Sequence, residues 1–300
     1  MIVAPTVFVL GAGASEPYGL PLGSQLRLDI LAKYNSDVGR AVDLLNTAPF
    51  VRKDINAFVE ALKYSGLSSV DAFLERRPEF MDIGKAMMGI ELLHGEVHER
   101  LWQPDDNWLT YLFGNMIGSS LEEFANNNVS FVTFNYDRCV EQFLYVSLSN
   151  AFGRASEDTA AVVGRIPIVH LHGRLGHLPW QSGNSAIAFG DNQIDPHKMN
   201  IVMKEIKVVH EELTDGRDKD FAQAKKLLAG ARRVYLMGFG FGSRNVQRLG
   251  LGQLQPEAYQ GTAYGLTGKE IDGCRTLCGG LIGLHPFRTL DLMRQVVDFN

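Results

Sequence analysis

The chain has 300 residues, 45% of them hydrophobic and 21% charged, which suits a folded chain with a sizeable core and excludes wholesale disorder. Its 29 basic and 34 acidic residues leave a net charge of −5, which argues against a broadly basic nucleic-acid-binding surface. Three cysteines are too few for a disulfide framework, and no apolar run reaches the roughly 18 residues needed to span a bilayer. These features predict a reducing, cytoplasmic setting without a membrane partner.

Residues 6–10 (TVFVL) form a continuous apolar run ending at glycine, the pattern of a central parallel strand buried on both faces. No basic segment accompanies this run, so it reads as a strand and not as a leader. Over residues 25–128 the character changes. Stretches at 55–62, 90–93 and 108–124 carry apolar residues at helical spacing, with breaks near Pro49, Pro78 and Pro104. Strand signals return at 129–134 (VSFVTF), with a helix expected over 138–148. Further strands are expected at 166–171, 186–189, 234–237 and 262–266, and helices at 218–228 and 290–297. This alternation predicts an α/β fold with a doubly wound parallel sheet. The core would comprise residues 1–24 and 129–300, and a large helical insertion residues 25–128, in one domain. Right-handed crossovers place the strand C-termini along one edge, where ligands bind.

Four segments follow predicted strands. Gly11-Ala12-Gly13-Ala14-Ser15 comes first; its glycines allow a tight turn and close approach to a pyrophosphate, and a helix is expected to follow and offer its amides. The bland alternative is a turn without a ligand. Glu16 stands where the dehydrogenase fingerprint has its third glycine, and no strand ending in an acid follows, which disfavours hydride transfer. Phe134-Asn135-Tyr136-Asp137 comes next. Asn135 can reach a ribose or carboxamide and Asp137 can accept from an amide, or either can simply cap the following helix. In Val169-His170-Leu171-His172-Gly173, period-two alternation sets both histidines on one strand face. His172, nearer the strand end, suits a general base or equally a hydrogen-bonded structural histidine, whereas His170 reads as a hydrogen-bonded core residue. Gly238-Phe239-Gly240-Phe241-Gly242-Ser243 again allows close backbone approach, with Ser243 able to hydrogen-bond. Cys274 and Cys278 lack the partners for a zinc site and read as small buried residues.

In this order the segments resemble the sirtuin superfamily, particularly its bacterial branch of NAD-consuming proteins found in anti-phage defence. The resemblance rests on Gly11-Ala12-Gly13-Ala14-Ser15 with Gly19-Leu20-Pro21, Thr133-Phe134-Asn135-Tyr136-Asp137, Leu171-His172-Gly173 and Gly238-Phe239-Gly240. Val70-Asp71-Ala72-Phe73-Leu74-Glu75 also resembles a helical element of that branch. The resemblance implies a Rossmann-like sheet and NAD as substrate. Gly11, Ala12, Gly13 and Ser15 would hold the phosphates and adjoining ribose, with Pro21 closing the turn. Asn135 would orient the nicotinamide ribose or the attacking water, Asp137 would recognise the carboxamide, and His172 would be the base. Gly238, Gly240 and Ser243 would line the far side of the dinucleotide.

The chain departs from protein-deacylating sirtuins in lacking four zinc-binding cysteines and in continuing Pro21 with Leu22-Gly23-Ser24-Gln25. The implied activity is therefore that of an NAD glycohydrolase (NADase), without a metal. It would release nicotinamide and ADP-ribose, or a cyclic relative, and deplete NAD in antiviral defence. Restraint by a homo-oligomer or by a defence partner such as an ATPase or a nucleic-acid-sensing protein is also implied. The alternatives are a non-catalytic module that senses NAD or ADP-ribose and, less favoured, an NAD-dependent protein deacylase.

Overall fold

The computed structural model describes residues 1–35, 39–153, 156–181, 185–208 and 219–299. Six strands form one parallel sheet: β1 (Thr6–Leu10), β2 (Val129–Thr133), β3 (Ile168–His170), β4 (Arg233–Met237), β5 (Ala258–Thr262) and β6 (Gly283–His285). Their spatial order is β3-β2-β1-β4-β5-β6, with β1 hydrogen-bonded in register to β2 through Phe8↔Phe131 and to β4 through Phe8↔Tyr235. This is the Rossmann-like, doubly wound order. The chain winds outward in opposite directions from β1 and β4, which leaves a crevice beyond their carboxyl ends.

Alternation along the strands sorts the core into two faces. Val7, Val9, Val132, Val234 and Leu236 join one cluster. Phe8, Leu10, Phe131, Tyr235 and Met237 join the other, with the Phe8 ring stacked between Phe131 and Tyr235 at 5.7 and 5.6 Å. The insertion lies on the second face and supplies α1 (Gly23–Lys33), α2 (Arg40–Thr47), α3 (Arg52–Tyr64), α4 (Val70–Leu74), α5 (Met81–Gly95), α6 (Trp108–Met116) and α7 (Leu121–Phe124). Its Leu26, Ile30, Phe58, Phe73 and Leu109 continue the cluster that begins on the sheet. Between β2 and β3 run α8 (Cys139–Phe152) and α9 (Ser156–Val163), and then α10 (Pro196–Glu205) and α11 (Lys219–Ala229) lead to β4. The chain ends with α12 (Ser243–Leu249), α13 (Gly268–Leu277) and α14 (Thr289–Gln295) between and after the last strands. No helix among the described residues is long and apolar enough to cross a membrane.

Several expectations are corrected. Residues 186–189 form no sheet strand; Ala186 makes a single bridge to His177, and Ile187 is buried as an apolar plug in a loop. The strand expected at 262–266 lies earlier, at Ala258–Thr262, because Ala263 to Gly265 already turn, with Gly265 at φ +78°. β6, α9, α10 and α13 were not expected at all. The helix expected over 108–124 breaks between Met116 and Leu121. The helix expected from 218 begins at Lys219, and its first expected residue lies outside the described residues. No α-helix follows the first glycine turn directly. Two 3-10 turns, Ala12–Ala14 and Glu16–Tyr18, intervene, the second opening on Pro17 and closing on left-handed Gly19.

The insertion is tied to the core by a buried ion pair. Glu96, just past α5, and Arg138, just before α8, both have completely buried side chains. Glu96 accepts the Arg138 backbone N–H at 3.0 Å and its Nε at 3.1 Å, and Arg138 Nη2 donates to the other carboxylate oxygen. Burial pushes the Glu96 carboxyl up, and the adjacent guanidinium draws it down without cancelling the rise. Arg138→Leu removes the one partner and should cost about 3–5 kcal/mol near neutral pH. Glu96 then has a folded-state pKa still further above its unfolded value, so the folded state binds the extra proton. The deficit should be smallest below about pH 4 and grow as pH rises. Denaturant titrations of both proteins across this range test it; a deficit that stays constant with pH contradicts this account.

Candidate functional site

The strand ends meet in a cavity of about 560 Å³ lined by Gly11, Ala12, Ser15 and Pro21 from the first turn and its continuation. Asn135 and Asp137 enter from the end of β2, His172 from beyond β3, and Gly240 and Ser243 from beyond β4. A second cavity of about 390 Å³ adjoins it, sharing Ala12, Gly23, Phe239 and Gly240, and adds Gly13 and Gly238. Every residue singled out in the sequence as a binding or catalytic candidate thus borders one of two adjoining chambers at the switch point of the sheet.

The glycines divide by what they face. A Cβ on Gly11 would lie 2.5 Å from the Gly238 carbonyl oxygen, and one on Gly13 would lie 2.9 Å from Gly238 Cα. Gly238 itself is left-handed (φ +58°), and its Cβ would strike the Ala14 nitrogen at 2.1 Å. These three glycines let two backbone turns interlock. Gly240 differs, since a Cβ there meets nothing within 4 Å. The amides divide in the same way. Gly11 N–H donates to Met237, Gly13 to Gly238, Ala14 to Gly11 and Ser15 to Ala12. Among the described residues, the N–H groups of Ala12, Phe239, Gly240 and Phe241 have no such bond. The donors left for an anion therefore come chiefly from the second turn, not the first.

That second turn is strained. Phe241 has φ +51°, the one non-glycine residue with positive φ among those described, and its ring is buried against Phe239 at 5.2 Å. A bulky residue in the left-handed region costs about 1–2 kcal/mol, which burial of the phenyl ring offsets.

Asn135 is fixed on several sides. Its side-chain nitrogen donates to the Gly11 carbonyl at 3.0 Å and to Ser15 Oγ at 2.9 Å. Its backbone N–H donates to Thr133 Oγ1, and its carbonyl lies 3.0 Å from His170 Nδ1. Both side-chain protons are used, so Oδ1 is the polar atom that Asn135 has left for a ligand. Asp137 lines the chamber and also accepts the Cys139 N–H at 3.1 Å, so it helps to start α8 as the capping alternative expects. The alternation expected to set both histidines on one strand face ends at His170, the last residue of β3. His172 lies in the turn beyond, its ring edge-on to Phe134 at 5.3 Å and tilted to Tyr136 at 6.3 Å. Gly173 follows at φ +72°, where a Cβ would collide with the Glu205 carbonyl, so the histidine is held by a turn that accepts only glycine.

Sequence reasoning missed much of the lining. From the insertion come Ser69, Asp71 and Glu75, of which Asp71 accepts the Tyr136 hydroxyl at 2.6 Å and Glu75 pairs with Arg244. The second chamber contributes Glu16, Asp106, Thr262, Tyr264, Phe287 and Arg288. Arg288 lies over the Tyr264 ring at 4.3 Å and donates to Glu16 at 2.9 Å. Correct placement of β5 and β6 would have exposed Thr262, Tyr264, Phe287 and Arg288 as strand-end neighbours. Among the described residues no three His, Cys, Asp or Glu side chains converge as a metal site. Burial raises the thiol pKa of Cys139, and lifts that of Cys278 to about 11.

The interlock generates a contrast between neighbouring glycines. Gly238→Ala should destabilise the fold by roughly 2 kcal/mol or more, whereas Gly240→Ala should stay within about 0.5 kcal/mol of wild type. Denaturant melts decide this, and equal losses at both positions would contradict the division of roles. No protein-family model matches this chain, and no curated protein matches it either, so the sirtuin-like resemblance rests on the quoted motifs.

Proposed function

We propose that this protein binds NAD across the two chambers and cleaves its N-glycosidic bond, releasing nicotinamide and ADP-ribose. One observation carries the reading: Asn135, Asp137 and His172 line one chamber, and a second chamber bearing Tyr264, Phe287 and Arg288 adjoins it and shares Ala12 and Gly240 with it. A ligand with two heads joined by a charged link suits such a site. The link would lie on the free amides of Ala12 and the second turn, at the sheet edge where parallel folds hold phosphates.

On this reading each residue has a chemical task. Asp137, whose carboxylate borders the chamber, accepts from the carboxamide of the leaving nicotinamide. Asn135 Oδ1 accepts from the attacking water or from a ribose hydroxyl and sets its direction. His172 removes the proton as the C–N bond breaks and water adds at the ribose carbon, the role of a positioned general base. The aromatic walls formed by Phe134, Tyr136 and Phe239 limit water around the developing cation, so fixed dipoles act on it at low dielectric. Such an enzyme would drain a cell's NAD, and we place it in antiviral defence, held in check by an oligomer or a partner protein.

The test is nicotinamide release by purified protein. His172→Ala and Asn135→Ala should each lower turnover about 100- to 10,000-fold per folded molecule. Gly240→Val, placed where the fold leaves open space, should weaken NAD binding in calorimetry without lowering the melting temperature. Full turnover by His172→Ala would remove the base from the mechanism. NAD binding by wild type with no nicotinamide released under any condition would make the protein a sensor instead.

A further inference from the structure

The buried groups behind the cleft include a histidine that the proposed reaction does not use. His170, at the end of β3, lies with Nε2 2.7 Å from Glu141 Oε1 on α8 and with Nδ1 3.0 Å from the Asn135 carbonyl oxygen. The side chains of His170 and Glu141 are 5% and 3% exposed, so water does not complete either contact. Both partners of the ring are acceptors: a carbonyl oxygen cannot donate, and neither can an ionised carboxylate. A neutral imidazole beside a carboxylate would leave one of the two contacts as lone pair against lone pair. The trio is satisfied only if it retains one further proton.

We infer that His170 carries this proton as an imidazolium and, clamped by Glu141, acts as the positioning residue of Asn135. The inference rests on the proposed role of Asn135 and extends it to the groups behind that residue. The direction at Glu141 agrees. Burial raises its carboxyl, but the charge and hydrogen bond of His170, a backbone hydrogen bond and Arg174 together outweigh burial and bring it below the usual carboxylate value. An imidazolium donor makes a charge-assisted bond to the Asn135 carbonyl, stronger than a neutral one. That bond holds the backbone of Asn135, while Gly11 and Ser15 hold its amide. Oδ1 then faces the cleft with little freedom, and a displacement of about 1 Å there would cost on the order of 100-fold in rate.

Nitrogen spectra of protein labelled at histidine, assigned by comparison with His170→Gln, read the ring directly. Near neutral pH, wild-type His170 should show both ring nitrogens protonated. Glu141→Gln, which keeps the shape and removes the charge, should return the ring to one N–H and shift the Asn135 side-chain amide signals. It should also lower kcat for nicotinamide release about 100-fold, with KM little changed and with rates normalised to folded protein. His170→Gln retains an N–H donor for the Asn135 carbonyl and should keep more activity than His170→Leu. A neutral ring in wild type, unchanged Asn135 signals in Glu141→Gln, or equal activities of the Gln and Leu variants would each overturn the inference. If wild type releases no nicotinamide, the proposed function fails on its own, and the ring and amide signals still decide the positioning.

Discussion

Glu96 and Arg138 are sealed from water where the helical insertion meets the sheet, and the geometry of the cleft depends on their pairing. Apolar contacts between the insertion and the Phe8 face of the sheet are extensive, but they are non-directional and would tolerate sliding. The carboxylate removes that freedom by accepting both the backbone N–H and the guanidinium of one residue. The same guanidinium donates to the carbonyls of His177 and Ile187, in the segment after β3. One side chain thus joins three stretches of chain: the end of α5, the start of α8 and the loop that carries on from His172. Asp137 is the residue immediately before it. Desolvating two charges is expensive, and the four acceptor atoms around the Arg138 guanidinium, from Glu96, His177 and Ile187, are what make the arrangement tolerable.

The parts of the fold that could be read in advance are those where a single physical requirement acts on every residue of a segment. TVFVL, VSFVT and RVYLM lie in the middle of the sheet, covered on both sides, so nearly every position is apolar and the strand declares itself. β5 is AYQGT, in which Gln260 bonds to His285 and Gly261 admits the Leu236 side chain close against it, so its composition serves neighbours and hides the strand. β6 has only three residues. Residues 186–189 misled in the opposite sense: a short apolar run reads as a strand, but here Ile187 plugs the core while its carbonyl is occupied by Arg138. Local signals were present at α10 and α13. Asp195 with Pro196 opens the first, and Thr267 with Glu270 forms a reciprocal cap on the second.

Asn135, Asp137 and His172 of the first chamber were legible because they sit within four residues of the ends of β2 and β3. The second chamber was not, since Asp106 comes from the insertion and Phe287 and Arg288 follow an unrecognised strand. Glycine carried the most ambiguous message. The same residue type marks both a position where a ligand approaches and one where another backbone does, and only the spatial neighbour distinguishes them. Gly240 faces open space, while Gly11, Gly13 and Gly238 belong to the second kind.

The interlocked turns also bear on how this sequence can change over generations. A side chain gained at Gly11, Gly13 or Gly238 meets backbone, which has no rotamer to yield, so no single neighbouring substitution restores the fit. Sterically the three positions are constrained as one unit, although more than 220 residues separate the first from the last. Gly240, two residues beyond, is under no such bond. With open space before it, it is the glycine that the fold leaves free to drift.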